Sequence, residues 1–86
     1  MLTMERVRGV ELPYLRAWRI RLAIGQNELV ERSGLARSTV ARAETGKEVV
    51  SFPNIRKLAE ALGITPEQLI REDPDAGQDR QDRQDG

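Results

Sequence analysis

A chain of 86 residues, 38% of them hydrophobic, can build one small core but not two. It contains no His and no Cys, which removes the commonest general base and the strongest nucleophile and rules out a disulfide framework or a thiolate metal site. No apolar run approaches the roughly 18 residues of a membrane span, and the start lacks a signal-peptide core, so the chain is expected to be soluble and cytoplasmic.

The formal net charge is zero, but it is unevenly spread. Residues 1–71 carry 12 Lys/Arg against 8 Asp/Glu, while residues 72–86 carry 2 against 6. A basic body is followed by an acidic tail, a division that suits a polyanionic partner for the body.

Three regions follow in chain order: an arm at 1–11, a folded domain at 12–72 and a tail at 73–86. In the arm, Leu2, Met4, Val7 and Val10 follow no helical period and are too irregular for a strand. The segment either lies on the domain or is partly disordered. Arg6 and Arg8 would suit an arm that touches a polyanionic partner, but a solvated or self-packing segment is the preferred reading.

Pro13 fits the first position of a helix, where its missing N–H costs nothing. Leu15, Trp18 and Leu22 then recur at i, i+3 and i+7, predicting an apolar stripe on a first helix of about residues 13–23. Trp18 shares that stripe and is assigned to the core. Ile24 plugs the junction to a second helix beginning near Gly25-Gln26, where Gly25 is an acceptable cap and Glu28 supplies half of a capping box.

Between Gln26 and Lys47 the chain reads as two short helices and a tight turn. Leu29 and Val30 form one apolar patch, and Leu35, Val40 and Ala43 form another, with Ser33-Gly34 between them. Gly34 suits the left-handed position that ends a helix, and Leu35 can fold back onto it. Ala36 is a poor cap for the third helix. Its free N–H groups could take a phosphate, or could simply cost stability on the order of 1 kcal/mol. The outward face of that helix carries Arg37, Ser38 and Arg42, donors with no acid among them.

Ser51 is placed to cap a fourth helix whose core face is Ile55, Leu58, Ala59 and Leu62, stopped by Gly63. Thr65-Pro66-Glu67-Gln68 starts a fifth with a cap, a proline at the first position and a capping box, and Ile64 can staple onto Leu69. Past Glu72 come Asp73-Pro74-Asp75 and a repeat of Gln-Asp-Arg. This tail has no large apolar residue and is predicted to be disordered. Its negative charge could compete weakly for the basic face of the domain.

The run Gln26-x-x-Leu29, Gly34-Leu35-Ala36-Arg37-Ser38-Thr39-Val40-Ala41-Arg42, Glu44 and Gly46-Lys47 resembles the helix-turn-helix of the lambda-repressor/Cro type, also called the XRE family. The resemblance runs from about Leu12 to Ile70. It implies an all-α, compact five-helix DNA-binding domain that is cytoplasmic and nucleoid-associated, from a prokaryote or phage, with no cofactor and no metal.

It also implies roles. Arg37, Ser38 and Arg42 fall where the family reads bases, and an Arg can bind guanine O6 and N7 in a bidentate manner. Gln26 and the Thr45-Gly46-Lys47 turn fall where the family grips phosphates. Thr39 could reach a phosphate too, or bond within its own helix. Gln26 has no obvious need within the chain. Arg19 and Glu44 match a partly buried structural ion pair. Two positions depart from the family pattern, Val30 being larger and Ala43 smaller than usual, and these changes could offset one another in volume.

The implied function is sequence-specific binding to the major groove of double-stranded DNA by a transcriptional regulator, of the repressor kind, acting as a homodimer. The alternative is an antitoxin-like module whose main work is holding a protein partner. Catalysis is not expected: Ser33, Ser38 and Ser51 have no candidate base nearby in sequence. Leu69, Ile70 and the apolar residues of the arm are the candidates for a dimer surface.

Overall fold

The computed structural model describes residues 7–76. The elements follow in the order β1 (Gly9–Glu11), α1 (Leu15–Arg21), α2 (Gln26–Ser33), α3 (Arg37–Ala43), β2 (Val49–Ser51), α4 (Phe52–Leu62) and α5 (Pro66–Arg71). The expected five-helix architecture is present, built around Leu12, Leu15, Leu29, Val40, Ile55, Leu58 and Leu69, all fully buried. Leu69 therefore faces the core and is not available to a dimer surface. Leu2, Met4 and Arg6 lie outside the described residues.

The helical fold carries one small addition, a two-stranded sheet. β1 pairs antiparallel with β2 in the register Gly9↔Ser51, Val10↔Val50 and Glu11↔Val49. Val50 is buried and Val10 packs beside it against the core. Gly9 is required here: a Cβ at this position would lie 1.9 Å from the Val50 carbonyl oxygen. The end of the arm is thus held on the domain, and the Phe52 amide extends the pairing to the Arg8 carbonyl at 3.0 Å.

α1 is shorter than the apolar spacing predicts. It begins at Leu15, two positions after Pro13, and ends at Arg21 because Ala23 adopts a left-handed conformation with φ 60°. Ala23 donates to the Ile20 carbonyl and Ile24 to the Arg19 carbonyl, the bond pair of a Schellman ending. That ending normally uses glycine, and a left-handed alanine costs roughly 1–2 kcal/mol. It directs Ile24 into the core and leaves Leu22 39% exposed, so Leu22 is not part of the buried stripe. Trp18 packs against the core as expected, although it is not fully covered.

The remaining helix ends follow their local chemistry. Gly34 closes α2 at φ 75° and donates to Val30, and Ser33, buried beneath it, bonds both the Val30 carbonyl and the Leu35 amide. Leu35 packs against the core. Ser51 caps α4 by accepting from the Asn54 amide, and Gly63 ends that helix at φ 76°. The capping box of α5 forms in full, Thr65 accepting from Gln68 and Gln68 from Thr65, each at 3.0 Å. Glu28 does not complete the box at the start of α2; it pairs with Arg32 one turn away at 2.7 Å.

Past α5, the first residues of the acidic segment rest on α1. The Trp18 indole donates to the Glu72 carbonyl, and Arg21 donates to the Pro74 carbonyl at 2.8 Å and approaches Asp75 at 3.9 Å. Asp73 turns the chain by accepting from the Asp75 amide. No described helix is long and apolar enough to cross a membrane.

Candidate nucleic-acid interface

The seven residues of α3 divide cleanly. Val40 and Ala43 are buried, Arg37, Ser38, Ala41 and Arg42 are exposed on the opposite side, and Thr39 is half-buried at the boundary. Ser38 and Arg42 stand one turn apart and Arg37 sits beside Ser38 at the helix start. Among the described residues, neither guanidinium has a hydrogen-bond acceptor or an acidic partner. Val40 and Ala43 fix the rotation of the helix about its axis, and the donor face follows from it. Val30, half-buried against the same core, lies on α2, the helix packed beside α3.

The start of α3 has no side-chain cap. Ala36 has the extended conformation of a capping residue, φ −66° and ψ 150°, but no side-chain oxygen to offer, so the first amides of the helix have no side-chain acceptor. α2 likewise begins without a side-chain cap, at Gly25.

At the far end of α3, Glu44 receives two hydrogen bonds from Arg19, from Nε and from Nη2, and the pair is largely buried. Arg19 also donates through Nη1 to the Ile24 carbonyl at 3.0 Å. The expected ion pair is therefore formed, and it ties α1, the α1–α2 turn and the end of α3 together.

Gln26 differs from its sequence expectation. Its Nε2 donates to Glu44 Oε1 at 3.3 Å, so it does have an intrachain partner. Thr45 is also committed: its hydroxyl donates to the Arg42 carbonyl at 2.7 Å and accepts from the Lys47 amide at 3.2 Å. A hydroxyl has a single proton to give, so Thr45 shapes the turn and leaves Lys47, exposed, as its cationic group. Thr39 is half-buried and makes no hydrogen bond with its own helix among the described contacts. It lines an open cleft of about 270 Å³ with Arg42, Glu48, Val49 and Asn54, where α3 meets β2 and the start of α4.

The family model for a helix-turn-helix domain matches residues 14–72. The chain belongs to the helix-turn-helix family. Its fold and motif are of the lambda-repressor/Cro type of DNA-binding domain. The chain is 45% identical to the restriction-modification controller protein C.AhdI from Aeromonas hydrophila, with a TM-score of 0.61 over 65% of this chain and 85% of that one. It is 31% identical to the structure of a hypothetical transcription factor, NHTF, from Neisseria, with a TM-score of 0.62 over 81% of this chain and 76% of that one. A curated relative, the Neisseria hypothetical transcription factor of Neisseria meningitidis serogroup B (strain ATCC BAA-335 / MC58), is 33% identical over 66 residues, 77% of this chain. The chain spans 62% of that relative's length.

Within this helix-turn-helix, residue types at motif spacing located the donor face and the ion pair. Sequence reasoning did not place Glu48 and Asn54 beside α3, because the pairing of β1 with β2 brings the residues around β2 and the start of α4 there. Nor did it find the bond between Gln26 and Glu44. Two of the three serines weighed for catalysis have structural tasks, Ser33 in the turn and Ser51 as a cap.

Proposed function

We propose that this chain binds double-stranded DNA in the major groove, in a sequence-specific manner, and acts as a transcriptional regulator of the repressor kind, as a homodimer. The observation that carries this is the face of α3: three exposed donors, Arg37, Ser38 and Arg42, on a helix held by buried residues behind them. A helix of this size fits the major groove, and side chains near its start reach base edges there. Each arginine suits a guanine, a contact worth about 1–3 kcal/mol of discrimination.

Gln26, Thr39 and Lys47 supply donors to the phosphates and set the register, with Thr45 holding the turn that presents Lys47. Such contacts position the protein without reading sequence. The likeness to a hypothetical transcription factor from Neisseria supports a role in regulating transcription, and symmetric half-sites on the DNA would match a two-fold protein.

Selection from random duplexes at two salt concentrations tests this, with the wild type beside Arg37→Ala and Arg42→Ala. The expected result is an inverted repeat with half-sites about 10 bp apart, or a multiple of that, whose sequence preference relaxes in either variant. Binding that is weak, salt-sensitive and indifferent to sequence would overturn the specific form of the proposal.

A further inference from the structure

We propose that Glu44 is a positioning residue for the DNA backbone contact, acting through Gln26; this rests on the DNA-binding reading above. A carboxylate only accepts hydrogen bonds, so the group that Gln26 turns toward Glu44 must be its nitrogen. That settles the amide orientation on physical grounds. The Nε2 group is planar and carries two hydrogens. With one directed at Glu44 Oε1, the second points away from the ion pair, on a half-buried side chain at the first position of α2.

The charge arrangement makes this workable beside a phosphate. An isolated carboxylate at that place would repel the DNA backbone, but Glu44 accepts two hydrogen bonds from Arg19 and is only 6% exposed. The pair is neutral as a whole, and what it presents outward is the amide of Gln26. One carboxylate therefore joins three elements: it holds α1 through Arg19, it is carried by the residue at the end of α3, and it aims a donor at the start of α2. Because Glu44 immediately follows α3, the backbone clamp and the base-reading face share one anchor, and a shift of either moves the other.

The test uses a selected operator duplex in which single phosphates are replaced by neutral methylphosphonates, scanned across one half-site. The wild type should lose roughly tenfold in affinity at one phosphate, the size expected of one hydrogen bond to a charged group. Gln26→Ala should lose a similar factor on the unmodified duplex and become insensitive to that replacement. Glu44→Met, which removes both acceptor oxygens at similar side-chain length and is checked for folding by circular dichroism, should become insensitive at the same phosphate while keeping the guanine preference of Arg37 and Arg42. Full sensitivity in Glu44→Met would overturn the positioning role. Unchanged sensitivity in Gln26→Ala would remove the Gln26 contact itself, and absence of specific binding by the wild type would remove the DNA reading beneath both.

Should Glu44→Met fail to fold, the wild type still decides the matter by nuclear magnetic resonance of the Gln26 side-chain amide. One of its two protons should be protected in the free protein, and the other should shift when the operator is added. Two equivalent, unprotected protons in the free protein would overturn the proposal.

Discussion

The indole Nε1 of Trp18 donates to the backbone carbonyl of Glu72 at 3.0 Å, joining residues 54 positions apart. The bond closes α1 against the end of α5, and Arg21 extends the seam to Pro74. Trp18→Phe keeps most of the ring and loses the donor, and should cost about 1 kcal/mol, the usual worth of one neutral hydrogen bond. Urea unfolding followed by far-ultraviolet circular dichroism measures it; an unchanged midpoint would show that the seam carries no stability.

Glu44→Ala should destabilise far more. It leaves the Arg19 guanidinium largely buried without its acid, a loss of about 3–5 kcal/mol for pairs of this kind. In a domain of this size that is a large part of the total stability, so the variant should unfold at markedly lower urea concentration. Arg19→Met, which removes the charge but fills the space, should do the same, since it strands Glu44 in turn.

Ala23→Gly should stabilise. The left-handed backbone at φ 60° penalises a Cβ by roughly 1–2 kcal/mol, and the extra entropy that glycine loses on folding offsets only part of that. A gain of a few tenths to about 1 kcal/mol is expected, with no change in DNA binding. A lower melting temperature would show that the Ala23 methyl makes contacts worth more than the strain.

Gly9→Ala should detach β1. The added carbon would lie 1.9 Å from the Val50 carbonyl oxygen, a distance only backbone movement can relieve. Overpacking of this sort costs about 1–3 kcal/mol. The expected signature is local: faster hydrogen exchange at Val50 and Phe52, while the amides of α2 and α4 exchange as in the wild type.

Ala36→Asp separates two uses of the start of α3. The backbone there already has the capping conformation, so the new carboxylate should add on the order of 1 kcal/mol of stability. If those amides face a phosphate in the complex, the same change should weaken operator binding and lower its salt dependence. Higher stability with undiminished affinity would mean that the uncapped start has no part in binding DNA.

The acidic tail is a weaker competitor for the basic face than its full charge implies. Glu72, Asp73 and Asp75 belong to the segment placed against α1, and the sequence beyond Ala76 holds three acids against two arginines. Removing residues 77–86 should leave operator affinity at low salt nearly unchanged.

Local chemistry was legible wherever a residue acts on neighbours within four positions. Thr65 and Gln68 form their box, Ser51 caps α4, and Gly34 and Gly63 take left-handed endings because no other common residue does so cheaply. The donor face of α3 was legible for the same reason, since Val40 and Ala43 mark the inside of a helix and Arg37, Ser38 and Arg42 its outside. The partners of those local elements were not. Three-residue strands are too short to show alternation, and Gly9 is a poor strand former until a backbone approaches it. Leu22 fits a helical stripe in sequence, but the helix stops before it, where Ala23 turns left-handed and Ile24 enters the core in its place. Gln26 seemed without an intrachain partner because Glu44, 18 positions away, comes within reach only when α3 packs behind α2. Sequence by itself determined the five helices, the caps of α4 and α5, the glycine endings of α2 and α4 and the chemistry of the exposed face, all set by interactions over one or two helical turns. Only the tertiary structure decided the sheet, the seam from Trp18 to Glu72 and the sharing of Glu44, because each depends on bringing distant backbone and buried charge together.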